Sequence, residues 1–164
     1  MLQLIKYDMS EYKLDYLDRK ILSMLSENAR TPFLEIGRKC NVSGAAIHLR
    51  VDRLIDKGIL CGSQMLISQK KIGYMTCAFI GIQVNLTSTS THDEVFNRIV
   101  EIPEIVECHH ISGKYSLLVK VYAKSNEHLK QVIVEKIQSI VEVTSTETFI
   151  SLEEGFTRQL PIDN

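Results

Sequence analysis

The sequence predicts an α+β chain: three short helices, then a sheet accompanied by two further helices. Apolar residues recur at three- and four-residue spacing up to about residue 57, and from Cys77 the pattern switches to alternation interrupted by two helical stretches. The charge divides the same way, with 12 Lys+Arg against 8 Asp+Glu in residues 1–71 and 7 against 12 in residues 72–164. A basic end on an acidic remainder suggests that one end meets a polyanion and the other does not.

The first helix is written in LDYLDRKILSMLSEN, where Leu14, Leu17, Ile21 and Leu25 form one apolar stripe. Asp15 suits its N-cap, and the helix dipole favours Asp18 in the first turn. The second helix begins at TPFLEIGRKC, with Thr31 at the N-cap and Pro32 at the first helical position, where a missing N–H costs nothing. Leu34, Ile36, Gly37 and Cys40 supply its buried side, and Gly37 suits a place where two helices cross closely. Asn41-Val42-Ser43 then breaks the helix: Asn tolerates the left-handed conformation of a tight turn, and Ser43 caps the next helix.

The third helix, SGAAIHLRVDRLIDKG, carries a core stripe of Ile47, Val51, Leu54 and Ile55, and Gly58 ends it. Arg50, Arg53 and Lys57 lie at i, i+3 and i+7 on a separate, basic face. Two short helices joined by a three-residue turn, with a third behind them, make the helix-turn-helix plan, whose second motif helix enters the DNA major groove. On that plan Arg50, Arg53 and Lys57, with Arg38 and Lys39 from the preceding helix, hold phosphates. Ser43, Ala45, Ala46, His48 and Leu49 line the end that faces the groove. Only His48 and Arg50 are strong hydrogen-bonding readers, so phosphate contacts and DNA shape are expected to carry much of the affinity.

In the second half, CAFIGIQVNL alternates as a strand with Ala78, Ile80, Ile82, Val84 and Leu86 on one face. A helix from His92 to about Glu101 carries Val95, Phe96, Ile99 and Val100. IVECHHI and SLLVKVYA come next as strands around a Ser112-Gly113-Lys114-Tyr115 turn. Ser125 caps a helix holding Leu129, Val132, Ile133, Ile137 and Ile140, and VTSTETFISL closes as a strand. Strand-helix-strand twice over is the ferredoxin-like split βαβ unit, a fold that hosts unrelated functions. Helices cover one face of such a sheet, yet Cys77, Phe79 and Gly81 on the first strand, with Leu118 and Tyr122 on the third, make the opposite face apolar too. That points to a subunit interface, and a symmetric dimer supplies the two-fold with which paired helix-turn-helix units grip major grooves about 34 Å apart.

Other classes are disfavoured. Cys40, Cys61, Cys77 and Cys108 contain no CxxC pair, against a disulfide framework or zinc ribbon. Ile72–His92 is an uncharged run of 21 residues, but its second half, QVNLTSTSTH, would place unpaired polar groups in lipid. The opening MLQLIKYDMSEYK does not read as a signal peptide, so the expectation is a cytoplasmic protein without a membrane partner.

LDYLDRKIL at 14–22, NVS at 41–43, RVDRLIDKGIL at 50–60, Ile72-Gly73 leading into AFIGIQV, and IVECHHISGKYS at 105–116 together resemble the Lrp/AsnC, or feast/famine, family of transcription regulators. The likeness runs in one register over about residues 14–155. It implies a winged-helix-like helix-turn-helix domain over 1–60, a β-linker over 61–76, and a ferredoxin-like βαββαβ ligand-sensing and oligomerisation domain over 77–164. It also implies double-stranded DNA as partner, homodimers that assemble further to octamers, and small effectors, usually amino acids, bound between dimers. The family loop after the second sheet strand usually reads Ser/Thr-Gly-x-Tyr/Phe-Asp. Here it is Ser112-Gly113-Lys114-Tyr115-Ser116, the candidate effector site, with Ser116 in place of the Asp that would pair with an ammonium group. Lys114 offers a charge for a carboxylate instead.

Three rivals stand beside this. One is an effector-independent DNA-organising protein. Another is a metal- or redox-responsive regulator using Cys108 and His110, which share one face of a strand at i and i+2, with His109 on the other. An enzyme is the weakest: Cys108 beside His109 has no third group placed by the sequence, and there is no Gly-rich phosphate loop or HExxH. No cofactor, no catalytic residue and no metal site are expected.

Overall fold

The computed structural model describes residues 12–85 and 91–162, in two units: Met1–Leu66 with Thr157–Asn164, and Ile67–Phe156. In the first unit, Asp15 caps α1 (Tyr16–Glu27) through a capping box. Asp18 N donates to Asp15 Oδ1 at 2.8 Å and Asp15 N to Asp18 Oδ2 at 3.2 Å, so two donors that the helix start would leave open are satisfied reciprocally. Helix α2 (Phe33–Cys40) starts differently from expectation. Pro32 is its N-cap with no side-chain cap, because the Thr31 hydroxyl donates to Asn28 O at 2.8 Å in the preceding turn. Its inward positions are Phe33, Ile36, Gly37 and Cys40; Leu34, one position off that stripe, is exposed.

Asn41 takes the left-handed conformation at φ 57°, and Ser43 caps α3 (Gly44–Asp56). Gly37 is where the turn closes on α2: a β-carbon there would lie 2.7 Å from Val42 O and 3.1 Å from Gly44 N. Only glycine lets α3 start so close. Ile47, Val51 and Leu54 are buried at i, i+4 and i+7. Ile55, expected in the core, lies one position past that stripe and is exposed. Ile162 packs against the same core, so the described residues from Thr157 on go with the helices, where the expected boundary had kept them with the sheet. Among the described residues this unit has no strand, and 61–75 holds one 3₁₀ turn, Lys70–Ile72, but no β-linker strand.

The second unit is a four-stranded antiparallel sheet, β1 (Thr76–Val84), β2 (Ile105–His110), β3 (Leu117–Ala123) and β4 (Val143–Ser151), in the order β2-β3-β1-β4. Alternation buries Ala78, Ile80 and Ile82 of β1 with Leu117, Val119, Val121 and Ala123 of β3 on one face. Against them lie Val95 and Ile99 of α4 (His92–Val100) and Leu129 of α5 (Asn126–Gln131). Leu86, expected on the same face, lies outside the described residues. Helix α5 runs directly into a π-helical turn, Val132–Ile137, where the sequence pattern had read one continuous helix. The wider turn brings Val132 and Ile137, five positions apart, onto the sheet side together, and both are buried.

The opposite sheet face carries Phe79 and Phe149, direct cross-strand partners at 37% and 49% exposure, beside Tyr122. Among the described residues, no helix is long and apolar enough to cross a membrane.

Candidate nucleic-acid interface and effector loop

The start of α3 is built from small residues and one imidazole. Ser43 Oγ accepts from Ala46 N at 3.1 Å, which leaves Ala45, His48 and Leu49 along the exposed side, Leu49 at 70% exposure. His48 is tethered twice: Nδ1 lies 2.9 Å from Asp52 Oδ2 one turn on, and the ring meets Phe33 edge-on, with centroids 5.5 Å apart at 86°. Arg53 on α3, Lys57 at its C-cap and Arg38 on α2 are exposed, and among the described residues no ion pair engages them. Lys39 pairs with Glu35 at 2.9 Å, and that carboxylate holds its amine above the ordinary lysine range.

Arg50 departs from the phosphate set. Its Nη1 donates to Asp18 Oδ1 at 2.9 Å and also to Asp15. The physical reason is Asp18, 1% exposed at the start of α1, since a carboxylate so buried must be paired. Tyr12 Oη donates to its other oxygen at 3.0 Å. The hydrogen bond from Arg50 holds the Asp15 carboxyl below its ordinary value, and the two carboxylates raise the guanidinium further above its own. Arg50 thus ties α3 to the start of α1. Its i, i+3, i+7 relation to Arg53 and Lys57 groups it with two exposed cations but could not show that carboxylates of α1 and its N-cap would engage it.

The loop Ser112–Ser116 sits at the end of the sheet between β2 and β3. Gly113 adopts φ 130°, which only glycine takes without strain. Tyr115 lies over Gly81 of β1: a β-carbon on Gly81 would fall 2.5 Å from its ring. Gln83 Nε2 donates to Lys114 O at 2.9 Å, and Ser145 Oγ donates to Gln83 Oε1 at 2.6 Å. Ser116 N donates to Ile82 O at 2.9 Å, and Ser116 Oγ accepts from Val84 N at 3.3 Å. Lys114 forms an ion pair with Glu147 of β4, the strand neighbour of Gly81. Gly81, Gln83 and Glu147 were not singled out from sequence. The signal for Gly81 was there, a glycine between Ile80 and Ile82 in a strand pattern, which marks close approach of another group.

Cys108, offered with His110 as a metal or redox pair, packs against the sheet core, and burial pushes its thiol up to about 11. His110 stacks on Phe96 with centroids 4.8 Å apart. Cys108 is taken up by packing while His110 stays exposed, and among the described residues no group of three or more His, Cys, Asp or Glu is placed to hold a metal.

A helix-turn-helix unit with an exposed, cation-flanked helix start, joined to an antiparallel sheet domain with a glycine-turned loop, defines a DNA-binding regulator with a sensing domain. Residues 14–55 match the AsnC-type helix-turn-helix domain and residues 77–160 the Lrp/AsnC ligand binding domain. The chain belongs to the Lrp/AsnC family of transcriptional regulators. It is 37% identical to the regulatory protein AsnC of Haemophilus influenzae over 91% of this chain and 98% of that protein. Against regulatory protein AsnC of Escherichia coli K12 it is 36% identical over 93% and 99%. The solved structure of E. coli AsnC superposes with a TM-score of 0.83 at 35% identity, covering 92% of this chain and 99% of that one. The regulator NMB0573 of Neisseria meningitidis, solved as a complex with L-Met, shares the fold at a TM-score of 0.84, covering 92% and 98%, with 23% identity.

Proposed function

We propose that this regulator binds double-stranded DNA as a homodimer through α3, with Arg53, Lys57, Arg38 and Lys39 on phosphates and Ser43, Ala45, Ala46, His48 and Leu49 toward the bases. The observation that carries this is the exposed start of α3 beside Arg38, Arg53 and Lys57, which have no carboxylate partner among the described residues. Arg50 is left out because Asp15 and Asp18 engage it. Phosphate contacts release counterions, so affinity for duplex DNA should fall steeply with salt. Arg53→Ala should weaken binding and reduce the slope of log affinity against log salt by about one unit. Unchanged affinity and slope would remove Arg53 from the interface.

The effector is a small molecule of amino-acid type, held at Ser112–Ser116. The loop is pinned by Gly81 and Gln83, and Lys114 and Glu147, ion-paired with each other beside it, carry the two opposite charges that a zwitterion would exchange partners with. The L-Met complex of NMB0573 supports the ligand class. The apolar sheet face around Phe79 and Phe149 supports a dimer, with octamers as the further assembly, and kinship with bacterial transcription regulators supports the cytoplasm as its location. A thermal-shift screen of the twenty amino acids tests the effector, since a ligand at a hundred times its dissociation constant adds about 2.7 kcal/mol. A blank screen would favour the effector-independent organiser, a reading supported by Ser116, which brings no charge for an ammonium group.

A further inference from the structure

We infer that His48 reads a base as a hydrogen-bond acceptor through Nε2, so that in each operator half-site the base it meets, on one defined strand, is cytosine or adenine, whose N4 or N6 amine donates to it. The inference rests on the DNA-binding reading above and supplies the chemistry of its base contact.

Four observations lead there. Arg50, the other strong reader on α3, is committed to Asp15 and Asp18. Ala45 and Leu49, exposed on either side of His48 along the helix, bring no hydrogen-bonding atoms. The imidazole is oriented by Asp52 on Nδ1 and by Phe33 against the ring, while its side chain remains 63% exposed. The partner on Nδ1 is a carboxylate oxygen 2.9 Å away, which can only accept.

That last contact fixes the tautomer. The proton of the neutral ring sits on Nδ1, where it donates to Asp52 Oδ2, and Nε2 is left with a lone pair directed away from that contact. In the major groove, guanine offers N7 and O6 and thymine O4, all acceptors; only cytosine N4 and adenine N6 donate. An acceptor at His48 therefore welcomes C or A and sets lone pair against lone pair at G. A histidine with the opposite tautomer would donate instead, to guanine N7 or O6, thymine O4 or adenine N7, so Asp52 is a positioning residue that decides whether G is rejected.

The test is selection of binding sites from a random duplex library at pH 8, where free imidazole is neutral, with the wild-type chain, His48→Ala and Asp52→Ala. Wild type should return one position per half-site restricted to C or A. His48→Ala should relax that position by about tenfold in affinity ratio, with the salt slope and all other positions unchanged. Asp52→Ala frees the ring to adopt either tautomer, so G should become tolerated there. Nitrogen NMR of the free protein reads the tautomer directly and should show the proton on Nδ1. A proton on Nε2, a restricted position occupied by G, or an identical pool from His48→Ala overturns the inference and leaves the DNA-binding reading intact. A wild-type chain that retains no duplex even at low salt overturns both.

Discussion

The ring of Tyr115 occupies the space that a side chain on Gly81 would fill, with Cδ2, Cγ and Cε2 all within 2.7 Å of where a β-carbon would stand. Gly81 is central to the sheet, paired with Leu118 on one side and Glu147 on the other, so it has no freedom to move aside. Gly81→Ala should therefore expel Tyr115 and cost about 1–3 kcal/mol. In a Tyr115→Ala background the same substitution should cost much less. A double-mutant cycle by thermal or urea unfolding measures that coupling; additive effects would show that the ring does not rest on Gly81.

Arg50 and Arg53 look alike in the sequence, three positions apart on one helix, and the structure assigns them opposite work. Arg50→Met strands the buried Asp18 carboxylate, which among the described residues keeps only Tyr12 and the Asp15 N–H. Loss of about 2 kcal/mol of stability is expected, with no change in the salt slope of DNA binding. Arg53→Ala should do the reverse. Unfolding curves and salt titrations on the two variants decide it.

Asp15 and Glu104, both ion-paired, sit below their ordinary values. The Arg50 hydrogen bond holds Asp15 down from 3.8. Burial is the largest single influence and works to raise Glu104, but Lys136, at 2.7 Å and 2.8 Å, a backbone hydrogen bond and His128 together outweigh it and leave it lowered from 4.5. A carboxyl depressed on folding gives stability that is present above its unfolded value and lost as pH falls through the folded one. Both contributions should hold at neutral pH and fade below about pH 4. Asp15→Asn, which still caps a helix, and Glu104→Gln should each flatten the acid limb of a melting-temperature profile; an unchanged limb would assign acid sensitivity elsewhere.

Cysteine labelling should separate Cys108 from Cys61. Cys61 is exposed, whereas Cys108 packs against the sheet core with its thiol pushed up to about 11 by burial. Alkylation at pH 8 followed by peptide mass analysis should modify Cys61 well before Cys108. Equal rates would mean that β2 opens readily.

Local chemistry made much of this legible in advance. Asp15 and Ser43 cap because their side chains reach the N–H groups three residues on, and Asn41 turns left because its short polar side chain tolerates it. Gly37 announced a close approach, and the strand alternation told which residues share a face. What stayed hidden depends on partners remote in the chain. Arg50 is 35 and 32 positions from the aspartates that claim it. Lys114 meets Glu147 across the sheet, 33 positions away. Helical periodicity also resolves a face only to about one position, which is why Leu34 and Ile55 were expected inside and lie outside. The π turn escaped for a related reason: Leu129, Val132, Ile133, Ile137 and Ile140 read as an ordinary amphipathic stripe.

Because Ile162 packs with the helices while Ile67–Phe156 form the sheet unit, the sensing domain is an insertion within the chain of the DNA-binding one. A protein built this way has two covalent crossings between its parts instead of one, and the segment beyond the last strand contributes to the reader, not the sensor. Clipping the chain after Phe156 would thus be felt among α1, α2 and α3, at the opposite end of the sequence from the cut.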